Sequence, residues 1–167
     1  RYYMARTLIV VPVVSLVKQM YSDFKSYGFD SDEYCYMIQG EKNTDKLITI
    51  TTWQSIHRMP QEWFDQFDVV IGDEAHFFKA KSLTTIMTNL TKCKYRFGFT
   101  GTLDNTATHK LVLEGLFGPV KRTTTTSDLI KSNVLSKFMI KCIVLKYTDE
   151  QCKLMVKTKY KDEIDYL

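Results

Sequence analysis

The sequence predicts an α/β protein with a mostly parallel sheet and helices on both of its faces. Three observations carry that expectation. Segments of strand character alternate with segments of helical periodicity along the 167 residues, as in parallel sheets joined by crossovers. Thr7 to Val11 is an unbroken, largely β-branched run, the mark of a strand covered on both faces. Two further apolar runs, ending in Asp73-Glu74 and in Thr100-Gly101-Thr102, flank a helix-like stretch from Ser82 to Leu90. Their interval is close to the roughly 30 residues of a βαβ unit, which makes them adjacent parallel strands.

The elements follow in order. Pro12 breaks the first strand. Leu16, Val17, Met20 and Phe24 then recur at helical spacing, with Gly28 as the stop. Tyr34 to Ile38 and Leu47 to Thr51 read as strands. Trp53 to Met59 and Gln61 to Phe64 read as short helical pieces around Pro60. Asp68 to Ile71 and Tyr95 to Phe99 are the paired strands. Leu111, Val112 and Leu116 fit one face of a further helix, closed by Gly118-Pro119. Thr123 to Thr126 reads as an edge strand without chemistry, and Phe138 to Tyr147 as another strand. Thr148-Asp149-Glu150-Gln151 has the form of a capping box opening a basic helix.

Composition bounds the function. A hydrophobic fraction of 44% and a charged fraction of 25% are ordinary for a globular chain. No apolar run reaches membrane-spanning length, and no charged-then-apolar leader opens the sequence. Cys35, Cys93, Cys142 and Cys152 form no Cys-x-x-Cys pair, so neither a zinc site nor a redox motif is indicated. Buried, reduced thiols of a cytosolic protein fit that spacing. A net charge of +4 is compatible with nucleic acid without demonstrating it. Arg1 is not an initiator methionine, so the chain is expected to be a fragment.

The chemistry is expected at Asp73-Glu74-Ala75-His76. A strand running out into two carboxylates places them at the carboxyl edge of a parallel sheet, where open α/β folds bind ligands. Asp73 suits a Mg²⁺ ion held against nucleotide phosphates. Glu74 suits a base that orients a water for phosphoryl transfer. The same pair also fits a solvated acidic turn. Thr100 and Thr102 arrive at that edge on the neighbouring strand, where their hydroxyls could equally cap the Asp104-Asn105 turn.

These segments together resemble the superfamily-two helicases. Asp73-Glu74-Ala75-His76 is similar to their motif II and Thr100-Gly101-Thr102 to motif III. Val11 to Met20 resembles motif Ia, Gln39-Gly40 motif Ib, and Ile50 to Ser55 motif Ic. Trp53-Gln54-Ser55-Ile56, Pro60 to Phe64, Gly115-Leu116-Phe117-Gly118 and the closing Thr158 to Ile164 are similar to the UvsW-type recombination helicases of tailed bacteriophages.

The resemblance implies a RecA-like fold, with residues 1–146 an N-terminally truncated first domain and 147–167 the start of a second. It implies ATP and Mg²⁺ as cofactors, with Asp73 holding the metal through water and Glu74 polarising the attacking water. His76, Thr100 and Thr102 would couple hydrolysis to movement. Pro12, Ser15, Gly40, Thr51 and Thr52 would meet the DNA backbone. Trp53 could stack on a base or belong to the core. The implied substrates are single-stranded and branched DNA and RNA–DNA hybrids in recombination, repair and replication, with no membrane partner and a cytoplasmic location, the bacterial host's if phage-encoded. No Gly-Lys dipeptide occurs, so the phosphate-binding loop is not in this sequence. The fragment alone is therefore expected to be inactive, and most of the second RecA-like domain of the same chain to be missing. Two other readings share the motifs: the motor subunit of a restriction endonuclease, and a nucleic-acid-binding module that has lost its phosphate loop.

Overall fold

The computed structural model describes residues 5–38, 45–101, 103, 107–136, 139, 141–144, 146, 148–150 and 152. Two compact units divide the chain, Arg1–Lys121 and Arg122–Leu167. The first carries a five-stranded sheet formed by β1 (Thr7–Val11), β2 (Cys35–Met37), β3 (Ile48–Thr52), β4 (Val69–Gly72) and β5 (Tyr95–Gly98). Its spatial order is β2-β3-β1-β4-β5 and every pairing is parallel. The chain leaves β3 on one side of β1 and enters β4 on the other, so the topological switch lies at the carboxyl end of β1. Val11 pairs with Thr52, Val10 with Gly72, and Gly72 with Gly98. Three strands thus end level with the first.

Alternation of side chains along the strands splits the core in two. Ile9, Val11, Cys35 and Ile50 face α1 (Val14–Ser26), which buries Val17 and leans Leu16, Met20 and Phe24 onto them. Leu8, Val10 and Val70 face the opposite way. They meet Ile56 of α3 (Trp53–Ile56), Phe64 of α4 (Gln61–Phe64), Ile86 and Met87 of α5 (Lys81–Asn89), and Leu113 of α6 (Ala107–Phe117). Helices on both faces are therefore as the sequence predicts, and α5 is the crossover between β4 and β5. Trp53 takes the core alternative, packed partly buried against the second of these faces. β5 differs from its apolar sequence. Tyr95, Phe97 and Phe99 are about half exposed, because β5 is an edge strand beyond the reach of α1.

The end of α1 shows why Gly28 stops it. Gly28 has φ +82°, and its N–H donates to the Lys25 carbonyl while that of Phe29 donates to Phe24. This is a Schellman closure, and it carries the expected apolar contact: the Phe24 and Phe29 rings lie 6.0 Å apart, edge to face. The next turn, α2 (Ser31–Tyr34), corrects the reading of Tyr34 as strand. Asp30 caps it by accepting the Glu33 N–H, an Asp-x-x-Glu signal that the strand reading overlooks.

Three more readings are corrected. The buried stripe of α6 is Leu113, Leu116 and Phe117, while Leu111 is 71% exposed and Val112 sits at the surface. Five large apolar residues crowd that helix, so two stripes compete, and contact with the 3₁₀ turn Ala75–Lys79 and β5 selects one. Thr123 to Thr126 is not an edge strand. Thr125 caps α7 (Thr126–Lys131), accepting the Asp128 N–H and donating to its carboxylate. Of the segment from Phe138 to Tyr147, the described residues lie in neither helix nor strand. A helical turn does start at Asp149, with the Cys152 N–H donating to Thr148. Gln151 and residues 153–167, where the basic helix is expected, lie outside the described residues.

Candidate functional site

Five predicted residues converge where β1, β3, β4 and β5 end. Pro12 follows β1, Thr52 closes β3, Asp73 and Glu74 follow β4, and Thr100 lies two residues past β5. The Asp73 N–H donates to the Val10 carbonyl, extending the β1–β4 ladder by one bond. Its carboxylate Oδ1 then accepts the Glu74 N–H at 2.9 Å, which turns the chain off the sheet. Glu74 takes up that turn in the left-handed region, at φ +47° and ψ +52°. Sequence reasoning places both carboxylates at a strand end, but not this backbone state, which non-glycine residues rarely adopt.

The turn brings three side chains together. His76 Nδ1 is 2.8 Å from Thr100 Oγ1 and 3.1 Å from Glu74 Oε2, and the Thr100 hydroxyl donates to the same carboxylate oxygen at 3.4 Å. The main chain reinforces the link, since the Ala75 N–H donates to the Phe99 carbonyl and the Phe99 N–H to that of Gly72. Glu74 and His76 are partly exposed, so the cluster is open to a ligand. Asp73 borders a narrow apolar recess lined by Pro12, Trp53, Phe77 and Phe78.

The nucleic-acid candidates fare differently. Ser15 is exposed in the first turn of α1, and Pro12 is half-buried beside it. Thr51 and Thr52 are 0% and 3% exposed. Thr51 pairs with Val10 and shares its core-facing side, so its hydroxyl is turned away from the surface. Thr52 shares its hydroxyl with Ser55 at 3.1 Å. The strand register decides this, and a hydroxyl-rich run alone does not reveal it. Gly40 and Thr102 lie outside the described residues. Among the described residues no cluster of three or more His, Cys, Asp or Glu could hold a metal by protein ligands alone. No helix among them is long and apolar enough to cross a membrane.

An all-parallel sheet with an Asp-Glu-x-His turn at the switch point, hydrogen-bonded to a threonine of the next strand end, defines a RecA-like domain of the superfamily-two helicase class. The chain belongs to the family described as "Type III restriction enzyme, res subunit", whose model matches residues 1–105. It is 33% identical over 175 residues to the ATP-dependent DNA helicase uvsW of Enterobacteria phage T4, covering 98% of this chain and 35% of that one. It is 28% identical over 148 residues to the DNA 3'-5' translocase XPB2 of Sulfurisphaera tokodaii, covering 88% and 32%. The crystal structure of T4 UvsW superposes with a TM-score of 0.64 at 31% identity, over 99% of this chain and 33% of that one. The chain thus spans about a third of the length of these curated relatives.

Proposed function

We propose that the chain is part of the ATP-hydrolysing core of a DNA helicase or translocase that acts on single-stranded and branched DNA or RNA–DNA hybrids. The observation that carries this reading is the Glu74–His76–Thr100 cluster at the carboxyl edge. Residues 1–146 would belong to the first RecA-like domain and 147–167 would open the second, with ATP bound between the two.

Glu74 orients and polarises the water that attacks the terminal phosphate. Asp73 is the adjacent carboxylate, and hard oxygen donors of this kind suit Mg²⁺, which usually keeps several waters and takes substrate phosphates rather than a protein cage. Bound there through its water shell, Mg²⁺ would neutralise charge developing on the phosphates. His76 reads the state of Glu74, because its Nδ1 sits within hydrogen-bond reach of both the carboxylate and the Thr100 hydroxyl. Thr100 and Thr102 couple that state to movement. Pro12 and the exposed Ser15 belong to the backbone-contacting edge, with Gly40. The buried Thr51 and Thr52 support that edge from beneath, Thr52 by holding Ser55.

The test is made in the full-length protein. Glu74→Gln should retain ATP binding while DNA-stimulated turnover falls by roughly 10²–10⁴. Asp73→Ala should weaken Mg²⁺-dependent nucleotide binding instead. A Glu74→Gln protein that turns over ATP like the wild type would overturn the reading. A second reading, the motor of a restriction endonuclease, is favoured by the family's own description. A nuclease or methyltransferase domain in the same open reading frame would select it.

A further inference from the structure

We infer that Phe117 is a positioning residue of the ATPase centre, its ring wedged over a pair of glycines and holding the Glu74–His76 turn against β5. The inference rests on the ATPase reading above and gives a role to the Gly115-Leu116-Phe117-Gly118 segment. Gly72 and Gly98 are register partners on β4 and β5, one step before the residues that leave the sheet for the site. Both adopt backbone conformations open to any residue, so their lack of a side chain answers to space. A methyl group at Gly72 would lie 2.8 Å from the Phe78 ring and 3.1 Å from that of Phe117. One at Gly98 would lie 2.9 Å from the Ala75 methyl and 3.1 Å from Phe117. Paired strand glycines mark a close approach, and here the Phe117 ring approaches both, beside Phe78 at Gly72 and Ala75 at Gly98.

That ring also meets the site's own turn. The Phe78 and Phe117 rings stand edge to face with centroids 5.1 Å apart, and Phe78 is 2% exposed. Phe78 and Ala75 belong to the 3₁₀ turn that carries His76. Phe117 therefore bears on the end of β4, the end of β5 and the turn between Glu74 and α5. A left-handed glutamate persists only where its surroundings over-determine it. Main-chain bonds tie its two ends, and the Phe78–Phe117 wedge supplies the packing underneath.

The experiment compares two residues of α6 in the full-length protein. Phe117→Ala and Phe117→Leu are measured beside Leu113→Ala, a buried position of the same helix and core whose side chain is not among the nearest neighbours of a methyl at either glycine. Steady-state DNA-stimulated ATPase gives kcat and KM, and thermal unfolding identifies temperatures at which each variant is folded. Phe117→Ala should lower kcat by about tenfold or more, since small misplacements of a reacting group carry such penalties. Its KM for ATP should stay within about threefold, and Phe117→Leu should recover only part of the loss, with kcat still below that of Leu113→Ala. Leu113→Ala should keep kcat within about twofold despite its lost stability. If Phe117→Ala does not fold, a lower kcat for Phe117→Leu than for Leu113→Ala supports the inference. An active wild type with unaffected Phe117 variants, or with Leu113→Ala equally impaired, overturns it alone. An inactive wild type, or an active Glu74→Gln protein, removes the ATPase reading and the inference with it.

Discussion

Gly98→Ala and Gly115→Ala are the same chemical change and should move stability in opposite directions. At Gly98 the new methyl falls 2.9 Å from the Ala75 Cβ and 3.1 Å from Phe117 Cγ and Cδ2. Carbon atoms rest at about 3.5–4.0 Å, so each contact is short by roughly half an ångström. Ala75 has no rotamer to move, and its N–H is held by the Phe99 carbonyl at 2.8 Å. Overpacking of this kind costs about 1–3 kcal/mol. The reduced freedom of the unfolded chain returns about 0.4–1 kcal/mol. The clash wins, leaving Gly98→Ala destabilised by roughly 1–2 kcal/mol. Gly115 lies in the helix interior of α6 with nothing within 4 Å of the new methyl. There alanine should stabilise by roughly 0.5–1 kcal/mol. Urea unfolding followed by tryptophan fluorescence reads both variants, because Trp53 and Trp63 both lie in the first compact unit. The m-value should stay constant. Gly98→Ala as stable as the wild type would show that the turn and the ring yield, and the close-approach argument would fail.

Thr49 has a fully buried hydroxyl with no hydrogen-bond partner among the described residues, so Thr49→Val should stabilise by about 1 kcal/mol in the same assay; a comparable loss would mean that the hydroxyl is bonded. The Lys25 ammonium and the Tyr21 hydroxyl, the latter at 2.7 Å, hold the Asp32 carboxyl below its ordinary 3.8. That contribution is present above the unfolded value and lost as pH falls through the folded one, so Asp32→Asn should flatten the acid limb of stability against pH. The same hydrogen bond pushes Tyr21 up to about 12, so its contribution is lost as pH rises from about 10 towards that value. A wild-type acid limb identical to the variant's would refute the linkage. Burial pushes the Cys35 and Cys93 thiols up, whereas Cys142 and Cys152 are exposed, which corrects the burial expected of all four. A thiol reagent at neutral pH should therefore modify the second pair quickly and the first only on unfolding, and four fast thiols would contradict the fold.

The sequence by itself located the five strands of the sheet, because a short apolar run between breakers marks a strand, although the same reading also made strands of Thr123–Thr126 and Phe138–Tyr147. Thr7–Val11 needs no neighbour to be recognised. The Asp73-Glu74 and Thr100 ends were likewise legible, since a polar cluster closing an apolar run marks a strand end and the interval marks a crossover. Periodicity could not say which strand lies beside which, and therefore which face a residue takes. Pairing with Val10 buries Thr51, an edge place exposes Phe97, and contact with the 3₁₀ turn selects Leu113 over Leu111 on α6. The left-handed Glu74 and the glycine pair beneath Phe117 belong to the same class. Local sequence sets what a backbone can adopt, whereas the space left by a distant ring sets what it must, and only tertiary structure holds that ring in place.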